Sequence, residues 1–315
     1  MFRFILSNLQ KHERYRILKF GIYVHSKRPK ISPNKILKVV KSAGVSYSNR
    51  DPDMAIVVGG DGTFGYYGKK LHIPMLLVGV KNSDVLGSKA RLAELLFDDL
   101  HQALSEIKKG NYRLEKRTMF CVCIKQKNND NNKGIERATD ILTDVYIERG
   151  IFSRCIRYAL SVIMPKANSG YHALKKFAEY AIGNGVIVST SFGARGYYSY
   201  PDRITVGKRN NNKSNNGAQF SDNKLGICHI IPTFLVRKPS LGYKKKILVR
   251  GSNIRYTVPN QSIIKISLTR NADVRLYGTT ENSRGIAITT DDEILIRPSR
   301  YTAKIIRLHF DRITR

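Results

Sequence analysis

The chain has 315 residues, 42% of them hydrophobic, which excludes whole-chain disorder and leaves room for two domains of ordinary size. It carries 55 Lys and Arg against 24 Asp and Glu, a formal charge of +31 spread along the chain and not gathered in one tail. Such a charge favours anionic partners, although a solvated surface rich in Lys, Arg and Asn accounts for it equally well. The cysteines Cys121, Cys123, Cys155 and Cys228 lack C-x-x-C spacing, so a zinc site has no support, and reduced thiols in a cytoplasmic protein are expected. The N-terminus lacks the apolar core of a signal peptide, and no apolar run is long enough to span a bilayer. The expectation is a soluble protein.

In chain order, Lys19 to Val24 reads as a strand. Ser32 then stands before Pro33, with Ile36, Leu37, Val39 and Val40 recurring before Gly44. An N-cap, a proline at the first helical position and a terminating glycine predict a helix. Met54 to Val58 and Met75 to Val80 read as two more strands. Arg91 to Lys109 reads as one amphipathic helix, with Leu92, Leu95, Leu96, Leu100, Leu104 and Ile107 on a stripe and Gly110 at its end. Strands alternating with helices predict a mostly parallel α/β sheet. Beyond Tyr112 helical periodicity fades. Met119 to Ile124, Ile141 to Ile147, Val186 to Ser189, Ile227 to Val236, Ile263 to Leu268 and Ile286 to Ile296 read as strands of a β-rich domain. The expected division is residues 1–112, residues 113–290, and a C-terminal segment 291–315 that returns to the first domain through a strand at Lys304 to Phe310. The asparagine-rich stretches Lys125 to Lys133 and Lys208 to Asn216 read as mobile surface loops.

One motif carries chemistry. The strand from Met54 to Val58 runs into Gly59-Gly60-Asp61-Gly62-Thr63. Glycines let the backbone turn sharply and approach a ligand, and their N–H groups form a concave anion site. Asp61 is thereby presented at the carboxyl end of a strand, where open α/β sheets bind ligands. A carboxylate beside phosphates takes a proton from an attacking hydroxyl or holds a metal ion.

GGDGT is shared by NAD kinases and by diacylglycerol and sphingosine-type lipid kinases. The chain resembles the NAD kinase family at further points in the right order. Leu104 to Arg117 (LSEIKKGNYRLEKR) resembles the family's helix, Gly-x-Tyr turn and Arg-bearing strand. Ile141 to Gly150 (ILTDVYIERG) is similar to LNEVxIxRG, Asn184 to Tyr197 (NGVIVSTSFGARGY) to DGxIVSTPTGSTAY, and His229 to Pro239 (HIIPTFLVRKP) to a downstream Pro-containing segment. The resemblance implies a Rossmann-like α/β domain followed by a β-sandwich, usually in homo-oligomers. It implies phosphorylation of the adenosine ribose 2′-hydroxyl of NAD(H), with ATP or polyphosphate as donor and Mg²⁺. Asp61 is then the general base, and Gly59, Gly60, Gly62 and Thr63 cradle the donor. Thr143 and Asp144 contact the dinucleotide, Asn184 falls on a family Asp near the substrate, and Arg195, Gly196 and Tyr197 line the adenosine pocket.

The chain departs from the family pattern at Thr143 for Asn, Asn184 for Asp, Lys81 for Asn and Tyr277-Gly278 for Asp-Gly. These departures keep two other readings open: a GGDGT kinase for another nucleoside, sugar or lipid, and a non-catalytic nucleotide sensor. Binding to nucleic acid is expected to be weak, non-specific and sharply salt-dependent. His229, inside the apolar run Ile227-Cys228-His229-Ile230-Ile231, reads as a hydrogen-bonded core histidine before it reads as a catalytic one.

Overall fold

A computed structural model describes residues 18–25, 30–80, 90–126, 137–151, 154–165, 176–204, 219–238, 247–248, 254–278 and 285–308. The first part alternates β1 (Lys19–Val24), α1 (Pro33–Ser42), β2 (Ser46–Tyr47), β3 (Met54–Gly59), α2 (Asp61–Gly68), β4 (Met75–Gly79), β5 (Leu95–Leu96) and α3 (Leu100–Lys108). Strands dominate the rest: β6 (Tyr112–Gln126), β7 (Arg137–Ile141), β8 (Asp144–Arg149), β9 (Ile156–Ile163), β10 (Lys176–Gly183) and β11 (Gly185–Thr190). After the short α4 (Tyr200–Ile204) come β12 (Lys224–Ile230), β13 (Phe234–Lys238), β14 (Ile247–Leu248), β15 (Arg255–Pro259), β16 (Ile263–Leu268), β17 (Val274–Tyr277), β18 (Ile286–Ile288) and β19 (Asp292–Leu308).

β2, β1, β3, β4 and β5 pair in parallel, and β3 and β4 are buried along their whole length, as central strands covered on both faces must be. α1 forms as its local signals predict: the Ser32 hydroxyl accepts from Lys35 N–H at 3.3 Å, Pro33 opens the helix, and Gly44 follows it at φ +65°. Its Ile36 and Val40 join Leu100, Leu104 and Ile107 of α3 over one face of the sheet, each such side chain contributing about 1.5–3 kcal/mol. The other face packs Phe64 of α2 together with Leu142 and Phe192, so the β-rich part rests directly on the α/β sheet.

The β-rich part has two facing layers. One is the antiparallel sheet β15-β12-β11-β8-β17-β18; the other is built from β14, β13, β10, β9, β16, β19, β6 and β7. Alternate residues from both layers, such as Tyr158, Leu160 and Val162 against Ile147, Val188 and Ile227, make the core between them. β19 runs antiparallel to β6 along its length, with an irregularity between Pro298 and Thr302. Its first half pairs with β16 and its second half meets β4 through Ile305 and Met75, so one sheet continues from the α/β layer into the sandwich.

Several sequence expectations need correction. The helix expected from Arg91 starts only at Leu100, because Leu95 and Leu96 pair with Val78 and Gly79 at the sheet edge. The apolar spacing served both arrangements, and Leu96 is left exposed. The strand expected over Ile141 to Ile147 is broken at Leu142 and Thr143. That over Ile227 to Val236 is two strands in different sheets, divided where Ile231 takes φ +40° before Pro232. That over Ile286 to Ile296 divides into β18 and β19. The asparagine-rich stretches lie outside the described residues except for Lys125 and Gln126.

Candidate active site

β3 ends at Gly59, and Gly60, in extended backbone, is the N-cap of α2. The chain passes from a buried strand straight into a helix whose first residue is Asp61. A Cβ on Gly59 would stand 2.6 Å from the Thr63 hydroxyl, so this close approach of strand end to first helical turn requires glycine. The first turn of α2 has N–H groups that the helix itself does not use, an arrangement that favours anions. Asp61 is held from the neighbouring loop, where Leu92 N–H donates to its Oδ1 at 3.0 Å.

Thr143 and Asp144 come to α2 from the sandwich. Thr190, buried at the end of β11, donates through its hydroxyl to the carbonyls of Leu142 (2.6 Å) and Thr143 (3.1 Å), and accepts from Gly193 N–H at 3.1 Å. Gly193 is pressed so tightly on Thr143 that a Cβ there would lie 2.5 Å from the Thr143 carbonyl carbon. On the other side, a Cβ on Gly65 of α2 would meet the Thr143 hydroxyl at 2.8 Å. The two short approaches hold the Leu142–Asp144 break in β-structure against the helix that carries Asp61.

Asp144 receives hydrogen bonds from Tyr197 N–H and from the Thr143 hydroxyl. Part of its surface still reaches solvent, but the protein encloses its carboxyl on most sides. Burial pushes that carboxyl up to about 6, and the charge of Asp61 pushes it the same way against those two hydrogen bonds. The Tyr197 hydroxyl donates to Glu148 at 3.2 Å, and its ring meets Tyr146 edge-on at 5.1 Å. Burial raises the Tyr197 hydroxyl well above the ordinary tyrosine value, which keeps it a proton donor.

The structure therefore brings Gly59, Gly60, Asp61, Gly62 and Thr63 at the start of α2 up against Thr143, Asp144, Gly196 and Tyr197 from the sandwich, with Arg195 exposed nearby. Asn184 stands apart. It turns the chain between β10 and β11, its carbonyl accepting from Arg149 N–H, at the end of β11 opposite Thr190 and ~20 Å along the strand. Lys81 lies outside the described residues. Gly278, at φ +94°, packs beneath the Asp144 carbonyl. Sequence reasoning gave no site role to Leu92, Thr190 or Glu148, although Thr190 sits inside the quoted NGVIVSTSFGARGY segment, Glu148 inside ILTDVYIERG, and Leu92 was read only as part of an apolar helical stripe. His229 lies in the sandwich core, away from this cleft, donating from Nε2 to Glu179 at 2.9 Å.

No family model matches the chain. It is 30% identical over 256 residues to an NAD kinase of Clostridium perfringens (strain ATCC 13124), covering 81% of this chain and 74% of that protein. Among solved structures, it resembles yeast NADH kinase complexed with NADH (TM-score 0.61, 13% identity, 95% of this chain and 85% of that one). It also resembles an NAD kinase from Archaeoglobus fulgidus in complex with ATP (TM-score 0.53, 15% identity, 93% and 94%). At those identities the two structures bear on the fold, which they share with this chain.

Proposed function

This chain belongs to the NAD kinase family, and from that membership we propose that it phosphorylates the adenosine ribose 2′-hydroxyl of NAD(H) to form NADP(H). The observation that supports the reading is the meeting of Asp61, at the start of α2, with Thr143, Asp144 and Tyr197 from the sandwich. A ribose hydroxyl is a weak nucleophile at neutral pH. In this proposal Asp61 takes its proton as the bond to phosphorus forms, and Gly59, Gly60, Gly62 and Thr63 hold the donor phosphates at the helix start. Thr143 and Asp144 hold the dinucleotide, and Gly196 and Tyr197 border its adenosine together with Arg195; Asn184, at the opposite end of β11, is too far from Asp61 and Asp144 to share that role within one chain. Transfer is in line, and positioning with charge neutralisation supplies most of the rate.

ATP or polyphosphate is the proposed donor. Among the described residues no group of three or more His, Cys, Asp or Glu gathers as a metal cage. Mg²⁺ is proposed with the donor: such an ion is usually held by one or two carboxylates plus substrate phosphates, Asp61 and Asp144 would supply the carboxylates, and the ion would offset phosphate charge. We further propose an active homo-oligomer in the cytoplasm, divided near residue 112 into a donor-holding and a dinucleotide-holding unit. No helix among the described residues is long and apolar enough to cross a membrane. The test is a coupled assay of NADP formation from NAD with ATP and, separately, with polyphosphate. Absence of NADP with either donor, while nucleotides still bind, turns the reading to the sensor.

A further inference from the structure

One residue from Asp61, a cavity of about 360 Å³ opens between the α/β layer and the sandwich. Leu92, whose N–H holds Asp61, is part of its wall. Four arginines line it from four separate segments: Arg91 after β4, Arg117 on β6, Arg195 after β11 and Arg307 on β19. Its described lining contains no carboxylate. Two of the four are anchored from behind. Arg307 reaches Glu94 and Glu115 at 2.5 Å each, and Arg117 reaches Glu115 at 2.8 Å and Asp222 at 3.0 Å. The other two are exposed at the rim, where Arg91 donates to the Arg195 carbonyl at 3.4 Å and the Arg195 guanidinium faces the Gln219 side chain. Arg117 also keeps its Nε buried without an acceptor among the described residues.

Three acids behind the wall face four guanidinium groups in and around it, so the cavity keeps an excess of positive charge where a ligand would enter. Guanidinium groups present rigid forks of donors that match phosphate oxygens two at a time. Arginines from both structural halves converge on one volume, so an anion seated there would tie the halves together beside the reacting carboxylate. We propose that this arginine cavity binds a chain of phosphate groups during the reaction at Asp61. The assignment deepens the kinase reading and rests on it for the source of the phosphates, which is either the tail of the donor or the diphosphate of the dinucleotide.

Inorganic tripolyphosphate is the probe, titrated by calorimetry into the wild-type chain and into Arg91→Gln and Arg195→Gln. Both residues are exposed, so the core is untouched, and unchanged melting temperatures check this. Each substitution is expected to weaken tripolyphosphate binding by about ten- to a hundredfold, the usual effect of losing a charge-assisted pair. Lys38→Gln removes the same charge from the exposed face of α1 and is expected to change affinity by less than about twofold, as screened surface charges do. Steady-state NADP formation then separates the sources: a raised KM for ATP assigns the cavity to the donor tail, and a raised KM for NAD assigns it to the dinucleotide diphosphate. Equal affinity in wild type and in both rim variants overturns the assignment, as does an equal loss in Lys38→Gln. If the wild type binds tripolyphosphate at the rim arginines yet forms no NADP, the kinase reading fails and the cavity assignment stands. If NADP forms with both KM values and tripolyphosphate affinity unchanged by the rim substitutions, the reverse holds.

Discussion

Two enclosed carboxylates, Glu179 and Asp144, sit in contrasting company. Glu179 is fully buried between the sandwich layers and surrounded by donors: His229 Nε2 at 2.9 Å, Tyr256 hydroxyl at 2.6 Å and Arg237 Nε at 2.7 Å. Tyr158 extends the network, its hydroxyl 2.6 Å from His229 Nδ1. Burial alone would raise the Glu179 carboxyl, but the His229 hydrogen bond and the Arg237 charge outweigh it and hold the group below its ordinary value. Asp144 has hydrogen bonds but another carboxylate for a neighbour, and its carboxyl is pushed up instead. An acid whose donors and countercharges are complete is part of the structure. Asp144 is left at an electrostatic loss beside a second acid, the feature on which its proposed role in holding the dinucleotide rests.

The contrast breaks most visibly at Asp61. Asp61→Asn keeps the shape and an oxygen for Leu92 N–H but cannot take a proton, so kcat for NADP formation should fall by about 10²–10⁴-fold with little change in ATP binding. Near-native turnover would remove Asp61 from the chemistry. At the structural acid, Glu179→Ala leaves Arg237 and His229 without their carboxylate, and denaturant titration should show a loss of about 3–5 kcal/mol. Because its folded value is depressed, the stability due to Glu179 is present above about 4.5 and lost as pH falls through the folded value. A wild-type stability flat from pH 7 to pH 3 would contradict that.

Asp144→Asn should move stability the opposite way. Its folded value is raised, so the cost of ionising it appears as pH climbs from 3.8 through about 6. Replacing it should therefore stabilise the protein by about 3 kcal/mol at pH 8 and hardly at all at pH 3, while the KM for NAD rises. Equal stabilisation at both pH values would mean that the gain is not electrostatic. In the wild-type enzyme, the smallest expected effect is a KM for NAD that climbs as pH drops below about 6, as Asp144 takes up its proton.

The legibility of these features in the sequence follows their range. α1 was readable because Ser32, Pro33 and Gly44 are local signals that act on their own backbone. β3 and the glycines after it were readable because an apolar run ending in Gly-Gly allows few alternatives. α2 was not: Gly62, Gly65 and Gly68 argue against a helix, and it is held by the burial of Phe64 and by close packing on Thr143 and Leu142. Leu95 and Leu96 fitted a helical stripe and a strand equally well, and the free edge of β4 decided between them. The partners of Glu179 and the walls of the arginine cavity come from segments far apart in the chain, so no window of sequence contains them.

The route of β19 bears on how the chain is made. Met75 waits for Ile305, and Ile264 waits for Ile296, so both halves take a strand from the same late-synthesised stretch. A nascent chain whose ribosome has not passed residue 292 has α1, β1 and β3 available but lacks the strand that flanks β4 and the one that flanks β16. Strand pairing over such separations is slow, because the loop must close before any contact rewards it. Until then the edges of β4 and β16 that β19 covers stand open, as edges on which other chains could pair.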